Sequence, residues 1–393
     1  MKKLLLSAIV VFIAPALHAQ PVVKNMLKLP DTGVISGYTS TFGEDNDFNT
    51  DVPLLHVNGN GTVTDSITGL LWQQLDGGEM TIDNAILYCD TLTLGGFTDW
   101  RLPNAHEAFS IINLQYANPA MDTLFFTKTA AQYWWTSDRQ ANDSNKVWVT
   151  NSGGGIGNHP RTETISAGGV KRFHVRAVRD VVSPQLVTAH FTDNGDGTVT
   201  DILTGLIWQK QPYADTLTWE DALVYADTLS LAGASDWRLP NIREIRSINT
   251  ETIHHPSLDT ALFQVQNGQK FWSSTTLRNQ TAKAWYFDDQ FGITTYDFKA
   301  NRHEILCVRG NTMTTGITAW KSEQQVVFPN PFENHIRIKG FSPEVSFELT
   351  TGQGRIVWSG TRIGEQDFSG LPSGIYFLRS DNPQPAVMKL IKP

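Results

Sequence analysis

DWRLPNIREIRSI, residues 236–248, repeats DWRLPNAHEAFSI, residues 99–111, almost letter for letter and 137 positions later. Asn241 stands three residues before Glu244, and Asn104 three before Glu107. That spacing is a capping box, in which the Asn side chain takes one orphan backbone N–H and the Glu takes another. Pro240 and Pro103 keep the preceding residues extended. Ile242, Ile245 and Ile248 then recur at helical spacing. The segment therefore predicts an extended piece feeding a short helix. Trp237 and Leu239 are expected in a core, with Arg238 neutralising a partly buried carboxylate or capping loop carbonyls, and an anionic ligand as the functional alternative.

The repetition reaches much further. NGNGTVTDSITGLLWQQ from Asn58 pairs with DNGDGTVTDILTGLIWQK from Asp193. LYCDTLTLGGFTDWRLPN pairs with VYADTLSLAGASDWRLPN, YWWTSD with KFWSST, KVWVTNSGG with KAWYFDDQFG, and FHVRAV with LCVRGN. The offset stays between 133 and 137, which means tandem domains rather than a short-period solenoid. TVTDILTGLIW alternates around a Thr-Gly turn and predicts a hairpin. TWEDALVYADTL predicts a helix capped by Thr218, with Asp221 at its third position and Ala222, Leu223, Ala226 and Leu229 on one face.

Four tryptophan pairs recur at matched positions: Trp72/Trp208, Trp100/Trp237, Trp135/Trp272 and Trp148/Trp285. Matched tryptophans read as core residues. Trp134 and Trp219 have no counterpart, which makes them the candidates for exposed stacking on a ligand, with ordinary packing as the other reading. Asp288 and Asp289, in WYFDDQFG, form the nearest acidic loop for ligand contact.

Lys2 and Lys3 precede an apolar run from Leu4 to Leu17, too short to span a bilayer comfortably. Residues 1–19 read as a signal peptide cleaved between Ala19 and Gln20, and no other stretch predicts a stable membrane span. Net charge is −8 and no segment is basic, so nucleic acid is not an expected partner. Two cysteines, Cys89 and Cys307, are too few for a disulfide framework. Asp193, Asp196 and Asp201 gather oxygens around glycines as a calcium loop does, but the full loop pattern is missing and the first copy keeps only Asp65. A structural turn with no cofactor is expected there, and calcium bound by Asp193, Asp196 and Asp201 is the alternative.

The set GDGTVTD, TGLIW, DWRLPN, FWSS and CVRG resembles the Lcl C-terminal domain family, with LPDTGVISGY and GEDNDF similar to that family's lead-in. The resemblance covers residues 29–310. It implies an α+β fold of two tandem C-type-lectin-like modules, residues 20–180 and 181–310, and a role in adhesion. Family members often carry a cysteine in the first helix and one in the last strand. Here the helix keeps Cys89 opposite Ala226, and the strand keeps Cys307 opposite His174. Two unpaired buried thiols are expected, because core positions of separate modules rarely come within the roughly 7 Å a bridge needs. WRLPNIREI is similar to a segment of formylglycine-generating enzymes, which need paired reactive cysteines. His254 and His255 near Asp259 come with no nucleophile motif. The chain is not expected to be an enzyme.

After a polar linker, 311–325, residues 326–393 read as short strands at hairpin spacing, a small all-β sandwich. PNP, GR and LPSGIYFL resemble the type A C-terminal sorting domain of the type IX secretion system. That implies passage through its machinery to the outer surface or the medium. The expected function is binding of glycan or protein ligands at the cell surface, with an inert extracellular spacer as the alternative.

Overall fold

The structure is a computed structural model. It describes residues 21–48 and 51–310, then 326–328, 332–339, 345–351, 355–380 and 387–392 of the tail. The expected signal peptide, with its expected Ala19–Gln20 cleavage site, and the expected 311–325 linker lie outside the described residues. The chain forms two compact units that divide at Asn311/Thr312.

Each repeat builds the same frame. In the first, antiparallel strands Leu55–Val57, Thr62–Asp65, Leu70–Gln73 and Val178–Asp180 lie in that order. In the second the order is Phe191–Asp193, Thr198–Asp201, Ile207–Gln209 and Val308–Arg309. The hairpin turn is made by a buried aspartate. Asp201 accepts from the N–H groups of Leu203 and Thr204, and Asp65 from those of Ile67 and Thr68. Gly205 and Gly69 follow at φ +77° and +73°, where a Cβ would be strained. A second sheet of long strands, Ala131–Gln140 with Asp143–Asn151 and Lys270–Thr276 with Lys283–Asp288, completes each module.

Four helices complete the frame: α1, Ile82–Thr91; α2, Ala105–Ser110; α3, Trp219–Thr228; and α4, Ile242–Ser247. Thr218 caps α3 by accepting from the Asp221 N–H, and both capping boxes are formed as the sequence predicts. α3 buries Trp219, Ala222, Leu223 and Ala226 against Trp237, Leu239 and Cys307. α1 buries Ile82, Ala85 and Cys89 against Trp100, Trp135 and Ala177.

One register differs from the sequence reading. The pairing of FHVRAV with LCVRGN placed His174 opposite Cys307. In the structure Gln73 donates its backbone N–H to the Ala177 carbonyl, and Gln209 to the Cys307 carbonyl. Arg179 clasps Asp99, and Arg309 clasps Asp236 in the same way. The last strands therefore align three residues further on, and Ala177 is the counterpart of Cys307. The first copy contains two Val-Arg pairs, Val175-Arg176 and Val178-Arg179, and the sheet uses the second. Each module thus packs one cysteine against one alanine. Both thiols are buried and unpaired.

The modules are not independent. Phe109, Ile112 and Trp148 of the first share a core with Ile242, Ile245, Ile248 and Trp285 of the second. Each fully buried isoleucine contributes about 1.5–3 kcal/mol through loss of water contact. Strand Val22–Lys24 pairs antiparallel with Gln185–Val187, joining the two lead-ins. The first lead-in also crosses over. Thr32 accepts at its carbonyl from Leu114 of module 1, yet Asp45 accepts from Thr275 and Glu44 from Thr276 of module 2. The sequence division assigned residues 29–48 to module 1, but much of their packing is against module 2.

In the tail, Ile356–Gly360, Phe347–Thr351, Gly374–Ser380 and Val387–Lys392 form a four-stranded antiparallel sheet. Strands Val326–Phe328 and Arg337–Lys339 make a separate pair, and Phe332, Ile336, Phe347, Leu349 and Tyr376 fill the core.

Candidate functional site

The acidic turn residues are engaged in local structure. Asp193 accepts from the Gly195 N–H and pairs with Lys210, Asp196 accepts from the Thr198 N–H and hydroxyl, and Asp201 holds the hairpin turn. Among the described residues, no group of three or more His, Cys, Asp or Glu is placed to hold a metal ion.

The two unmatched tryptophans are not exposed, contrary to the stacking expectation. Trp219 lies fully buried at the start of α3, with its indole N–H donated to the Ser273 carbonyl at 2.7 Å. Its counterpart is Ile82, so the copies exchange one apolar filler for another. Trp134 is 6% exposed and donates to Asp76 at 3.3 Å. It lines a cavity of about 150 Å³ with Phe126, Thr129 and Gln132. Asp288 is half-buried and accepts from the Gln290 N–H. Asp289 is buried, and burial, reinforced by Asp288, pushes its carboxyl up to about 7. It is a poor partner for a ligand that needs an exposed carboxylate.

Sequence reasoning missed a buried polar cluster in module 1. Asp76 accepts from His174 at 2.8 Å and from Thr129 at 2.5 Å, with Arg176 at 3.8 Å. Burial pushes the Asp76 carboxyl up, but those partners outweigh it and hold it below the usual range. His174 and Arg176 were hidden by the slipped register, which set them opposite Cys307 and Arg309.

The feature that distinguishes the modules is a groove. In module 1 it measures about 460 Å³ and runs between α1 and the capping segment, past Ile86, Asp90, Arg101, Leu102, Asn104 and Ser137. Arg101 spans its floor, bonded to both oxygens of Glu107 at 2.7 and 2.8 Å and to Asp180 at 2.7 Å. Asn25 and Pro184 also line it.

The equivalent surface of module 2 is covered by the chain itself. Leu223, the counterpart of Ile86, is 1% exposed, whereas Ile86 is 43% exposed. Gly43 lies on Leu223, where an added methyl group would sit 3.5 Å from its Cβ. The Phe48 ring lies 5.2 Å from the Arg238 guanidinium, and Thr39 donates to Glu220 at 3.0 Å. Asp45 takes hydrogen bonds from Thr275 at 2.6 Å and Thr32 at 2.8 Å. Burial pushes the Asp45 carboxyl up to about 6, although both hydroxyls oppose the shift. Ser274, Thr275 and Thr276 are all buried, while their counterparts Ser137 and Arg139 are exposed and Asp138 is half-buried.

The seam between the modules has its own polar set. Arg243 of α4 donates to the carbonyls of Pro30, Asp31 and Ile112, and burial lowers it to about 10. Its counterpart His106 lies 3.6 Å from Glu251, but burial, with Arg246 and His190 nearby, pushes it down to about 3. His106 is therefore neutral, and that contact is not an ion pair.

The Lcl C-terminal domain family matches residues 61–179 and 197–309, more than half of the chain. The secretion-system C-terminal sorting domain matches residues 326–392. A comparison with curated proteins finds no match. The sorting domain implies interaction with the type IX secretion machinery and delivery to the outer cell surface or the medium. Among the described residues no helix is long and apolar enough to cross a membrane. The chain belongs to the Lcl C-terminal domain family, carrying two copies in tandem ahead of a type IX sorting tail.

Proposed function

We propose that this is a non-enzymatic binding protein of the cell surface or the medium, engaging glycan or protein ligands through its first module. One observation carries the reading. Two modules share a frame, and the same groove is filled by the chain in one and open in the other. Concave, partly apolar sites with a few fixed polar groups are where ligands bind. Ile86 and Leu102 supply apolar wall, and Arg101 is held rigid by Glu107 and Asp180. Two helices packed on mostly antiparallel sheets with long connections support a C-type-lectin-like frame. An N-terminal signal peptide is part of the same proposal.

The thiols support a non-catalytic role. Burial pushes Cys89 up to about 12, and Cys307 is raised further still. Neither supplies a thiolate near neutral pH, and they sit in separate cores. The reading is tested by probing an array of glycans and extracellular matrix proteins with the mature chain and with its Ile86→Ser variant. Binding that Ile86→Ser weakens supports it. An array on which the mature chain binds nothing would sink it.

A further inference from the structure

We infer that the open groove of module 1 binds a short turn-forming segment of a partner protein, one with a small or apolar residue followed by an acidic and then a basic side chain. The inference rests on the binding reading above and names its ligand class. The chain supplies the template. In module 2 this groove holds residues 39–48, TSTFGEDNDF, with Gly43 on Leu223, Glu44 on Thr276, Asp45 on Thr275 and Phe48 over Arg238.

The residues that meet the two carboxylates in module 2, Thr275 and Thr276, have as counterparts Asp138 and Arg139, which follow the groove-lining Ser137, and the difference changes the charge. Thr275 accepts from the Ile242 N–H at the start of α4 and donates to Asp45. Its counterpart Asp138 accepts from the Ala105 N–H at the start of α2, at 2.7 Å, and so occupies the same place. A carboxylate arriving where Asp45 sits would meet the carboxylate of Asp138 and be repelled, whereas an ammonium or guanidinium would be held. Thr276, which donates to Glu44, is replaced by the exposed Arg139, which suits an acid. Asp90 and Asp180 on the wall add to the demand for a basic residue, with Arg101 committed to Glu107 and Asp180. The groove thus keeps the shape that accepts residues 39–48 and rejects their charge order. That keeps the chain's own lead-in, and copies of it on neighbouring molecules, out of module 1.

The test uses the full mature chain and two fluorescent synthetic peptides of residues 39–48, one of native sequence and one carrying Asp45→Lys. Native peptide competes poorly for module 2, because the tethered lead-in holds that groove at high effective concentration. The Asp45→Lys peptide should bind at least about tenfold more tightly than the native one. Ile86→Ser should weaken it. Asp138→Thr, which installs the module 2 residue, should reverse the preference towards the native peptide, an outcome that general damage to the fold would not produce. Equal binding of the two peptides, or an unchanged preference in Asp138→Thr, overturns the inference. If neither peptide binds while the chain still binds an array ligand, the peptide assignment falls and the broader binding reading stands. If nothing binds in either experiment, both fall.

Discussion

Arg238 and Arg101 hold the same place in the two copies but do not carry the same weight. Arg238 is buried and bonds both oxygens of buried Glu244 at 2.5 and 2.6 Å. Removing it strands a buried carboxylate, which costs about 3–5 kcal/mol. Glu107 is equally buried, but Arg101 is half-exposed and borders the open groove, so water can enter the space it vacates. Arg238→Ala should therefore lower the urea midpoint by clearly more than Arg101→Ala, and equal losses would contradict this account. Asp45 makes a pH-dependent prediction. Its folded pKa, about 6, lies above the ordinary 3.8, so the folded state is undisturbed at low pH and loses stability as pH rises through that window. Two units correspond to on the order of 3 kcal/mol. Asp45→Asn removes the charge, so its stability relative to the parent should climb between pH 4 and 7. Urea titrations of both proteins at the two pH values would show it, and a constant difference would refute it. The structural role of Arg238 was legible in kind, a carboxylate or loop carbonyls, and the structure supplies the partner, Glu244, six residues away. Trp219 stood out as a stacking candidate because it lacks a matched tryptophan, but it packs, and the other copy fills the same space with Ile82.

At the scale of single elements, the helices were the most legible part. α2, α3 and α4 begin where Asn104, Thr218 and Asn241 place their caps, because capping is settled within four residues of chain. Asn241→Ala should cost about 1–2 kcal/mol, measurable by chemical denaturation, and Thr218→Ala about 1 kcal/mol. A neutral result for Asn241 would mean that the seam, rather than the cap, fixes α4. The hairpins were legible for the same local reason, since Asp201 and Gly205 act on their own turn. The last strand was not. Its identity depends on which of two Val-Arg pairs meets Gln73 across about a hundred residues, and the two read alike in sequence. Only the Gln73–Ala177 and Arg179–Asp99 contacts decide it. The slip hid Arg176 and His174, and with them the Asp76 cluster.

For the whole molecule, the tandem organisation and the sorting tail were plain in the sequence, while the crossing lead-in was not. Asp45 and Thr275 are 230 positions apart, and no periodicity connects them. Deleting residues 30–48 should therefore damage the distant module more than the adjoining one. Hydrogen exchange should show amides of α3 and α4 losing protection while those of α1 keep theirs. Loss concentrated in α1 would show that the lead-in serves the module it precedes. Removing residues 326–393 should stop delivery to the surface, as read by fractionation of the producing cells. Undiminished surface display would remove the tail's role as a sorting signal.

The crossing also fixes an order of events in time. Ribosome and export channel release a chain from its N-terminal end, so residues 38–48 emerge early. Their contacts, Glu220, Thr275, Thr276 and Arg278, come more than 170 residues later. Contacts this distant in sequence are slow to form. Until then the lead-in has nowhere to dock, and the second module lacks its cover. Closure of the unit is therefore a late step that reports that the whole tandem has been delivered. A chain cut short within the second module would be left with a loose N-terminal segment, accessible to proteases before the protein reaches the surface.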